Sequence, residues 1–287
     1  MSVSATRSSS RPRLLLADDR IIRFPAVMGI LNVTPDSFRD GGLYRDPEAA
    51  LDHAIEMAEH GATIIDVGGE STRPGASEVP IDEELARVIP VIEMLSARLT
   101  VPISVDTRKA PVARAAVQVG AAIINDVSGL TFDPAMAAVA AESRVAVVLM
   151  HMRGTPETMS SMANYRDVVS EVRDYLEARV AAAVAAGISG DRIIVDPGLG
   201  FAKNPADNLA LMRGLPAIAA LGRPVLIGFS GKALELRLKA NGERERIART
   251  IAAEVAAVIL GASILRVHDP GPTAMALRVA ASLALNA

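Results

Sequence analysis

Short apolar segments alternate with longer amphipathic segments along most of the chain. The apolar segments are rich in Val and Ile and contain few polar positions, as expected for strands that are buried on both faces of a parallel sheet. These predicted strands are 27–31, 63–67, 103–105, 122–125, 145–150, 193–195, 225–228 and 264–267.

The segments between the predicted strands have helical periodicity. Asp46 followed by Pro47 predicts a helix start, because Asp is a good N-cap and Pro is favoured in the first turn. Apolar residues then recur at spacings of three and four up to Gly61, which predicts the end of the helix. The same periodicity predicts helices with apolar stripes at 85–95, 168–183 and 247–259.

Eight strand–helix units in 287 residues predict an α/β fold of the (β/α)8 barrel type, also called a TIM barrel. A doubly wound open sheet is the alternative, but it usually carries a Gly-rich phosphate loop after an early strand, and the sequence has no such motif. We expect a disordered tail at 1–13 and a single catalytic domain at 14–287. Residues 14–26 are expected to form a small hairpin that plugs the bottom of the barrel.

Composition narrows the possible functions. The net charge is −3, which argues against a nucleic-acid binder with its basic stripe. The chain has no cysteine, so a thiolate metal site, a disulfide scaffold and a cysteine nucleophile are excluded. The Ser- and Arg-rich start lacks the apolar stretch of a secretory signal, and no apolar run is long enough to span a membrane. We therefore expect a cytoplasmic protein.

Polar residues follow every predicted strand, and in a (β/α)8 barrel the active site lies at these strand ends. Asp106, Asn125 and Asp196 offer acceptors and an amide, which suit a flat, nitrogen-rich ring. A second group offers donors and positive charge for an anion such as diphosphate, and it comprises Asn32, Arg73, Arg266 and His268. A Mg²⁺ ion held mainly by diphosphate needs only one or two protein ligands, and Asn32 is a candidate.

Some of these residues have simpler interpretations. Asp126 can cap the strand end, Arg266 can pair with a nearby carboxylate, and His151 can support the end of its strand. Two loops rich in Gly and Pro, 32–43 and 68–79, are ordinary surface loops or hinged loops that close over a substrate. Their residues Phe38 and Pro74 are suited to line an aromatic ligand.

Several long motifs resemble the dihydropteroate synthases, a family of pterin-binding enzymes, over essentially the whole chain after the tail. The matching motifs occur in the expected order: MGILNVTPDSF at 28–38, DVGGESTRPGA at 66–76, SVDTRK at 104–109, INDVSG at 124–129, MHMRGTPETM at 150–159, DPGLGFAKN at 196–204 and RVHD at 266–269.

The resemblance implies a homodimeric enzyme that uses Mg²⁺ and joins 6-hydroxymethyl-7,8-dihydropterin diphosphate to p-aminobenzoate, the substrate that sulfonamide drugs mimic. The implied catalytic residues are Asp106, Asp196, Lys232, Arg266 and His268. The implied pterin site is Asp106, Asn125, Met150, Asp196, Phe201 and Lys232. The residues implied to bind diphosphate and metal are Asn32, Arg73, Arg266 and His268. The implied p-aminobenzoate site is Phe38, Thr72, Pro74, Phe201, Ser230 and Lys232.

One segment departs from the family pattern. The family reads Ser-Arg-Lys after the seventh strand, whereas this chain has Gly231 between Ser230 and Lys232, followed by a segment rich in Leu and charge. Three alternatives stay open at this point. They are a pterin-binding paralogue without catalysis, a corrinoid-type methyltransferase domain, and a Schiff-base aldolase that uses Lys232.

Overall fold

The computed structural model describes residues 12–34, 47–73, 75–229 and 242–284. Most of the predicted tail, residues 1–11, lies outside them. The strands are β1 Leu14–Leu15, β2 Ile21–Ile22, β3 Ala26–Asn32, β4 Ile64–Gly68, β5 Ile103–Asp106, β6 Ala121–Asp126, β7 Ala146–Met150, β8 Ile193–Asp196, β9 Leu226–Gly228 and β10 Ile264–Val267.

Strands β3 to β10 form one parallel sheet that closes on itself. Hydrogen-bonded neighbours follow the order β8-β7-β6-β5-β4-β3-β10-β9. The two ends of this order meet where Val195 pairs with Val225 in parallel, and the Val195 amide donates to the Pro224 carbonyl at 3.0 Å. The barrel prediction is therefore confirmed, and the eight predicted strands are found within one or two residues of their expected bounds.

Helices alternate with the barrel strands and pack on the outside of the sheet. They are α1 Pro47–Glu59, α2 Ile81–Arg98, α3 Ala110–Gln118, α4 Met136–Ser143, α5 Val168–Ala185, α6 Pro205–Arg213, α7 Leu215–Ala219, α8 Glu243–Ile259 and α9 Pro270–Ala284. The outward face of β4, including Ile65 and Val67, joins the buried face of α2, including Val88 and Ile92, in one core cluster. None of the helices in the described residues has the length and apolar character needed to cross a membrane.

Helix α8 is present where the periodicity predicts it, but its apolar stripe is only partly buried: Ile251, Val255 and Val258 are half-buried, whereas the two end positions are exposed. Ile259 is 78% exposed and Ile247 is 41% exposed. The residues that α8 buries are Glu254 and Ala257. Glu254 accepts a hydrogen bond from the Thr273 hydroxyl of α9 at 2.8 Å, so a polar pair occupies part of the packed face where the sequence pattern suggested aliphatic contacts.

The hairpin β1–β2 closes the bottom of the barrel, as predicted. Leu14 and Leu16 are fully buried and pack against Ala26, Met28 and Ile64 at the amino ends of the barrel strands. Because this end is filled with apolar side chains, the carboxyl ends of the strands form the open mouth.

Candidate active site

Side chains alternate between the two faces of each strand, so every second residue points into the barrel. The lower interior is apolar and is formed by one cluster: Ala26, Met28, Ile64, Ile123, Ala146, Val148, Ile194, Leu226 and Ile264. Further along the same strand faces, the inward positions are Asn32, Asp66, Asp106, Asn125, Met150, Asp196 and Arg266. The strand periodicity therefore brings the predicted site residues of β3, β5, β6, β7, β8 and β10 into one mouth.

Arg266 lies at the centre of a polar network in this mouth. Its Nε donates to Asp66 Oδ2 at 2.7 Å, and its Nη2 donates to Asp106 Oδ2 at 2.7 Å. Asn125 Nδ2 also donates to Asp66 Oδ2, at 3.0 Å. The remaining carboxylate oxygens, Oδ1 of Asp66 and Oδ1 of Asp106, are buried and accept no hydrogen bond from the described residues. They are acceptors for a ligand that brings N–H donors.

The pKa of the Asp106 carboxyl is shifted by its surroundings in this network. Burial raises the pKa of Asp106 to about 7, Arg266 opposes this rise, and the neighbouring charge of Asp66 adds to it. The pKa of Arg266 is raised even though burial lowers it, because Asp66 and Asp106 stabilise the guanidinium. The alternative interpretation of Arg266 as a partner of carboxylates is thus observed, and its contact with diphosphate stays a prediction.

Asp66 was not among the predicted site residues. It is fully buried and lies two positions after Ile64, on the same inward face of β4. The signal was a carboxylate in the middle of a buried apolar strand, which is costly unless it has donors.

Asp126, in contrast, follows Asn125 and lies on the opposite face of β6. Its carboxylate accepts from the backbone amides of Ser128 and Leu130 at 2.7 and 3.1 Å, so it caps the strand end.

Asp196 lies at the end of β8, in register with Met150 of β7. The Gly198 amide donates to Asp196 Oδ1 at 2.7 Å, and burial raises the pKa of Asp196 to about 6. Gly198 has a φ of 68°, and an added Cβ would come within 2.1 Å of the His151 carbonyl oxygen. This tight turn therefore requires glycine, and it fixes one oxygen of the carboxylate.

Lys203 was also absent from the predicted site. It is 8% exposed, and its Nζ lies 2.9 Å from His151 Nδ1 and donates to the carbonyl of Phe201 at 2.9 Å. Burial and the positive charge of Lys203 lower the pKa of His151 to about 3. A neutral imidazole therefore accepts from Lys203, as expected if His151 supports its strand end. The half-buried Phe201 donates its backbone amide to the Gly198 carbonyl at 3.1 Å, which holds it near the turn after Asp196.

The predicted diphosphate residues lie around the rim. Asn32 is half-buried at the end of β3, Arg73 is exposed on the β4–α2 loop, and His268 is exposed after β10. A Cβ added at Gly68 would lie 3.7 Å from Asp106 Oδ2 and 3.9 Å from Asn32 Oδ1, so the glycine keeps a space open beside both oxygens. Among the described residues, no group of three or more His, Asp or Glu side chains is placed to hold a metal ion.

Part of the predicted p-aminobenzoate site can be placed. Thr72, on the β4–α2 loop, is half-buried, as is Phe201. The other residues predicted for this site lie outside the described residues: Phe38, Pro74, Ser230 and Lys232. The departure at Gly231 lies outside them as well. Their roles stay predictions.

The mouth of this (β/α)8 barrel contains buried carboxylates and an amide, which suit a flat, nitrogen-rich ligand. The family comparison agrees with a ligand of this kind. The chain belongs to the family described as pterin binding enzymes, whose model matches residues 28–268.

The relatives within this family show more closely which of its enzymes the chain is similar to. A dihydropteroate synthase of Bacillus subtilis (strain 168) is 52% identical over 243 residues, which are 85% of this chain and 83% of that protein. A Xanthomonas albilineans dihydropteroate synthase with 4-aminobenzoic acid is 47% identical with a TM-score of 0.87, covering 96% of this chain and 98% of the other. The same enzyme in complex with 7,8-dihydropteroate gives 45% identity and a TM-score of 0.83, covering 95% and 98%.

Proposed function

We propose that this protein is a dihydropteroate synthase. It condenses 6-hydroxymethyl-7,8-dihydropterin diphosphate with p-aminobenzoate and releases diphosphate and 7,8-dihydropteroate, a step of folate biosynthesis. The observation that carries this function is the buried network of Asp66, Asp106, Asn125 and Arg266 beside Asp196. It lies in a barrel about half identical to dihydropteroate synthases along nearly its whole length.

The network is suited to the pterin ring. A pterin presents an amino group and ring N–H groups as donors, and the free oxygens of Asp66 and Asp106 are buried acceptors that lack partners among the described residues. Filling these acceptors removes a desolvation cost that each unpaired buried group imposes. Met150, which is in register with Asp196, and Phe201, in the turn that follows Asp196, are the residues proposed to provide apolar surface for the faces of the ring.

The rim is suited to the diphosphate. Arg73 and His268 supply exposed donors, and Arg266 adds a positive charge below them. Asn32, whose amide oxygen borders the space beside Gly68, would hold a Mg²⁺ ion to which diphosphate would supply most of the other ligands. Bound there, the ion would neutralise charge on the departing diphosphate.

The reaction breaks the bond between the pterin methylene carbon and the diphosphate oxygen and forms a bond from that carbon to the arylamine nitrogen. Diphosphate leaves with the electron pair of the broken bond, and the arylamine nitrogen releases one proton to solvent. Asp106 and Asp196 place negative charge below the ring, which stabilises positive charge as the carbon–oxygen bond breaks. A neutral arylamine is already nucleophilic, so the protein contributes orientation and electrostatic stabilisation, and no strong base is required.

The second substrate is assigned to the outer part of the mouth. Thr72 and Phe201, both half-buried, are assigned to this region, and Phe38, Pro74, Ser230 and Lys232 complete the predicted site. Sulfonamides mimic p-aminobenzoate and are expected to compete for this position.

We also propose a homodimer that associates through α8 and α9. Five large apolar side chains on these two helices are exposed: Ile247, Ile259, Met275, Val279 and Leu283. Met275, Val279 and Leu283 are spaced by four residues and so lie on one face of α9, and an exposed apolar surface is typical of an association site. Light scattering after size exclusion is expected to give a dimer for the wild type and a monomer for Ile259→Glu. The control Val184→Glu changes an exposed apolar residue of α5 and leaves the dimer intact. A monomeric wild type would contradict this assignment.

The chain has no cysteine, so its stability does not depend on an oxidising compartment, and we place the enzyme in the cytoplasm. Cell fractionation tests this location.

The proposed activity is tested by calorimetry with each substrate separately and together. Pterin diphosphate is expected to bind alone, and p-aminobenzoate to bind tightly only when diphosphate or pterin diphosphate is present, since the anion orders the loops that contact it. Pterin binding without any p-aminobenzoate binding would favour a methyltransferase-type domain. A protein that binds neither ligand would contradict the proposal.

A further inference from the structure

Four charged side chains are buried together at the base of the β4–α2 loop, outside the barrel mouth. Glu70 is 8% exposed, Glu84 is 1%, Arg108 is 6% and Lys109 is 2%. They come from the end of β4, from α2 and from the segment between β5 and α3. We call them the loop-base cluster. None of them was assigned to the substrate sites above, so their burial needs another explanation.

The cluster holds both ends of one loop. The Val79 amide donates to Glu70 Oε2 at 2.9 Å, and Lys109 Nζ donates to the Val79 carbonyl at 2.7 Å. Lys109 also bonds to Glu70 and to Glu84 Oε2, the latter at 2.6 Å. The start of the loop at Glu70 and its end at Val79 are therefore joined through one ammonium group. Thr72 and Arg73 lie on the segment between these ends.

The same cluster is joined to the pterin side of the mouth through the chain. Arg108 and Lys109 are the second and third residues after Asp106 in the chain. Arg108 Nε donates to Glu70 Oε1 at 3.0 Å, and its guanidinium lies 4.0 Å from the centroid of the Phe132 ring. Strand β5, which carries Asp106, is thus tied to the loop that carries Thr72 and Arg73.

The charges in the cluster balance, with two carboxylates and two cations. Burial raises the pKa of Glu70, but bonds from Lys109, the Val79 amide and Arg108 outweigh it and lower the pKa below its usual value. A buried ion network of this kind is weak evidence for added stability, because desolvation offsets much of its attraction. A role in fixing geometry accounts better for its presence.

We propose that Lys109 is a positioning residue that fixes the β4–α2 loop relative to β5, so that Thr72 and Arg73 meet the second substrate and the diphosphate above a pterin held by Asp106. This inference rests on the proposed dihydropteroate synthase activity. It predicts that loosening the cluster impairs the second substrate far more than it impairs the pterin.

The test uses the double variant Lys109→Met/Glu84→Gln. Removing one cation and one anion leaves the Glu70–Arg108 pair and keeps the cluster neutral, which avoids the unpaired buried charge of Lys109→Met alone. The matched control is Thr273→Val, which breaks a buried polar contact to Glu254 far along the chain from this loop. The control shows what a general loss of stability does to the kinetics.

In the double variant, we expect the KM for p-aminobenzoate to rise by about tenfold or more, because a small misplacement of binding groups has large kinetic effects. The Kd for 6-hydroxymethyl-7,8-dihydropterin, which lacks the diphosphate that Arg73 is assigned to contact, stays within about twofold of wild type. Hydrogen exchange of amides in 71–79 becomes faster. The control lowers the melting temperature without changing either constant.

Two results would overturn the proposal: a folded double variant with wild-type KM and wild-type exchange in 71–79, or equal losses for p-aminobenzoate and for 6-hydroxymethyl-7,8-dihydropterin. The exchange measurement does not depend on turnover. If the wild type makes no dihydropteroate but exchange in 71–79 is still faster in the double variant than in the wild type, the proposed function is contradicted, while the role of Lys109 in fixing the loop is supported.

Discussion

Replacing Asp196 with Asn is the sharpest single perturbation of the pterin site. The side chain is 7% exposed, so its carboxylate is almost fully desolvated. One oxygen accepts from Gly198 at 2.7 Å, and an Asn carbonyl can keep that bond. The substitution therefore removes the negative charge and one acceptor while it preserves the size of the side chain and the turn.

The magnitude follows from the burial. A hydrogen bond to a buried charged group is worth about 2–3 kcal/mol, which corresponds to about 30-fold to 150-fold in Kd for the pterin. Isothermal titration calorimetry with pterin diphosphate, in the absence of p-aminobenzoate, measures this change directly.

The matched control is Asp126→Asn. Asp126 is also a fully buried carboxylate at a strand end, and burial likewise raises its pKa to about 6. However, it caps a turn on the opposite face, so we expect reduced stability and unchanged pterin affinity. A change of less than about threefold for Asp196→Asn, or an equal loss for both variants, would refute the assignment of Asp196 to the pterin.

Three further outcomes are expected. Pterin affinity, measured by calorimetry from pH 8 to pH 5, falls as Asp106 and then Asp196 take up protons, because their pKa values are raised to about 7 and about 6; a flat profile would contradict this. Burial raises the pKa of Glu254 to about 7, so folding favours its protonated form and this contribution is lost as the pH rises through 7. Glu254→Gln keeps a partner for Thr273 and is therefore expected to raise the melting temperature more at pH 8 than at pH 5, and a gain independent of pH would rule out this origin. Gly231→Arg restores the family residue and is expected to lower the KM for p-aminobenzoate with little effect on pterin diphosphate; an effect confined to the pterin diphosphate KM would place residue 231 in the other pocket.

The barrel could be predicted from the sequence because strands buried on both faces leave a simple signal. Eight short apolar segments, each ending in a polar residue, are enough to indicate both the topology and the end that holds the site. The inward placement of Asp106, Asn125 and Asp196 follows from the same strand periodicity.

The missed features depend on contacts that periodicity does not encode. Asp66 could be noticed as a carboxylate within a buried apolar strand, but its donor Arg266, 200 positions away, could not be identified from periodicity. Lys203 comes after a glycine-rich turn, and nothing in the local pattern indicates that it reaches back to His151. The stripe of α8 has the periodicity of a packed helix, and only the three-dimensional arrangement shows that its ends, Ile247 and Ile259, are exposed while Glu254 is buried.

The central claim is tested most directly by a single-turnover reaction. Excess enzyme is mixed with pterin diphosphate, p-aminobenzoate and Mg²⁺, and the quenched products are identified by mass spectrometry. The account predicts 7,8-dihydropteroate and diphosphate in equal amounts, with formation slowed in Asp196→Asn. If the pterin diphosphate binds and is recovered unchanged at every p-aminobenzoate concentration, the protein is a pterin-binding paralogue without this catalytic activity.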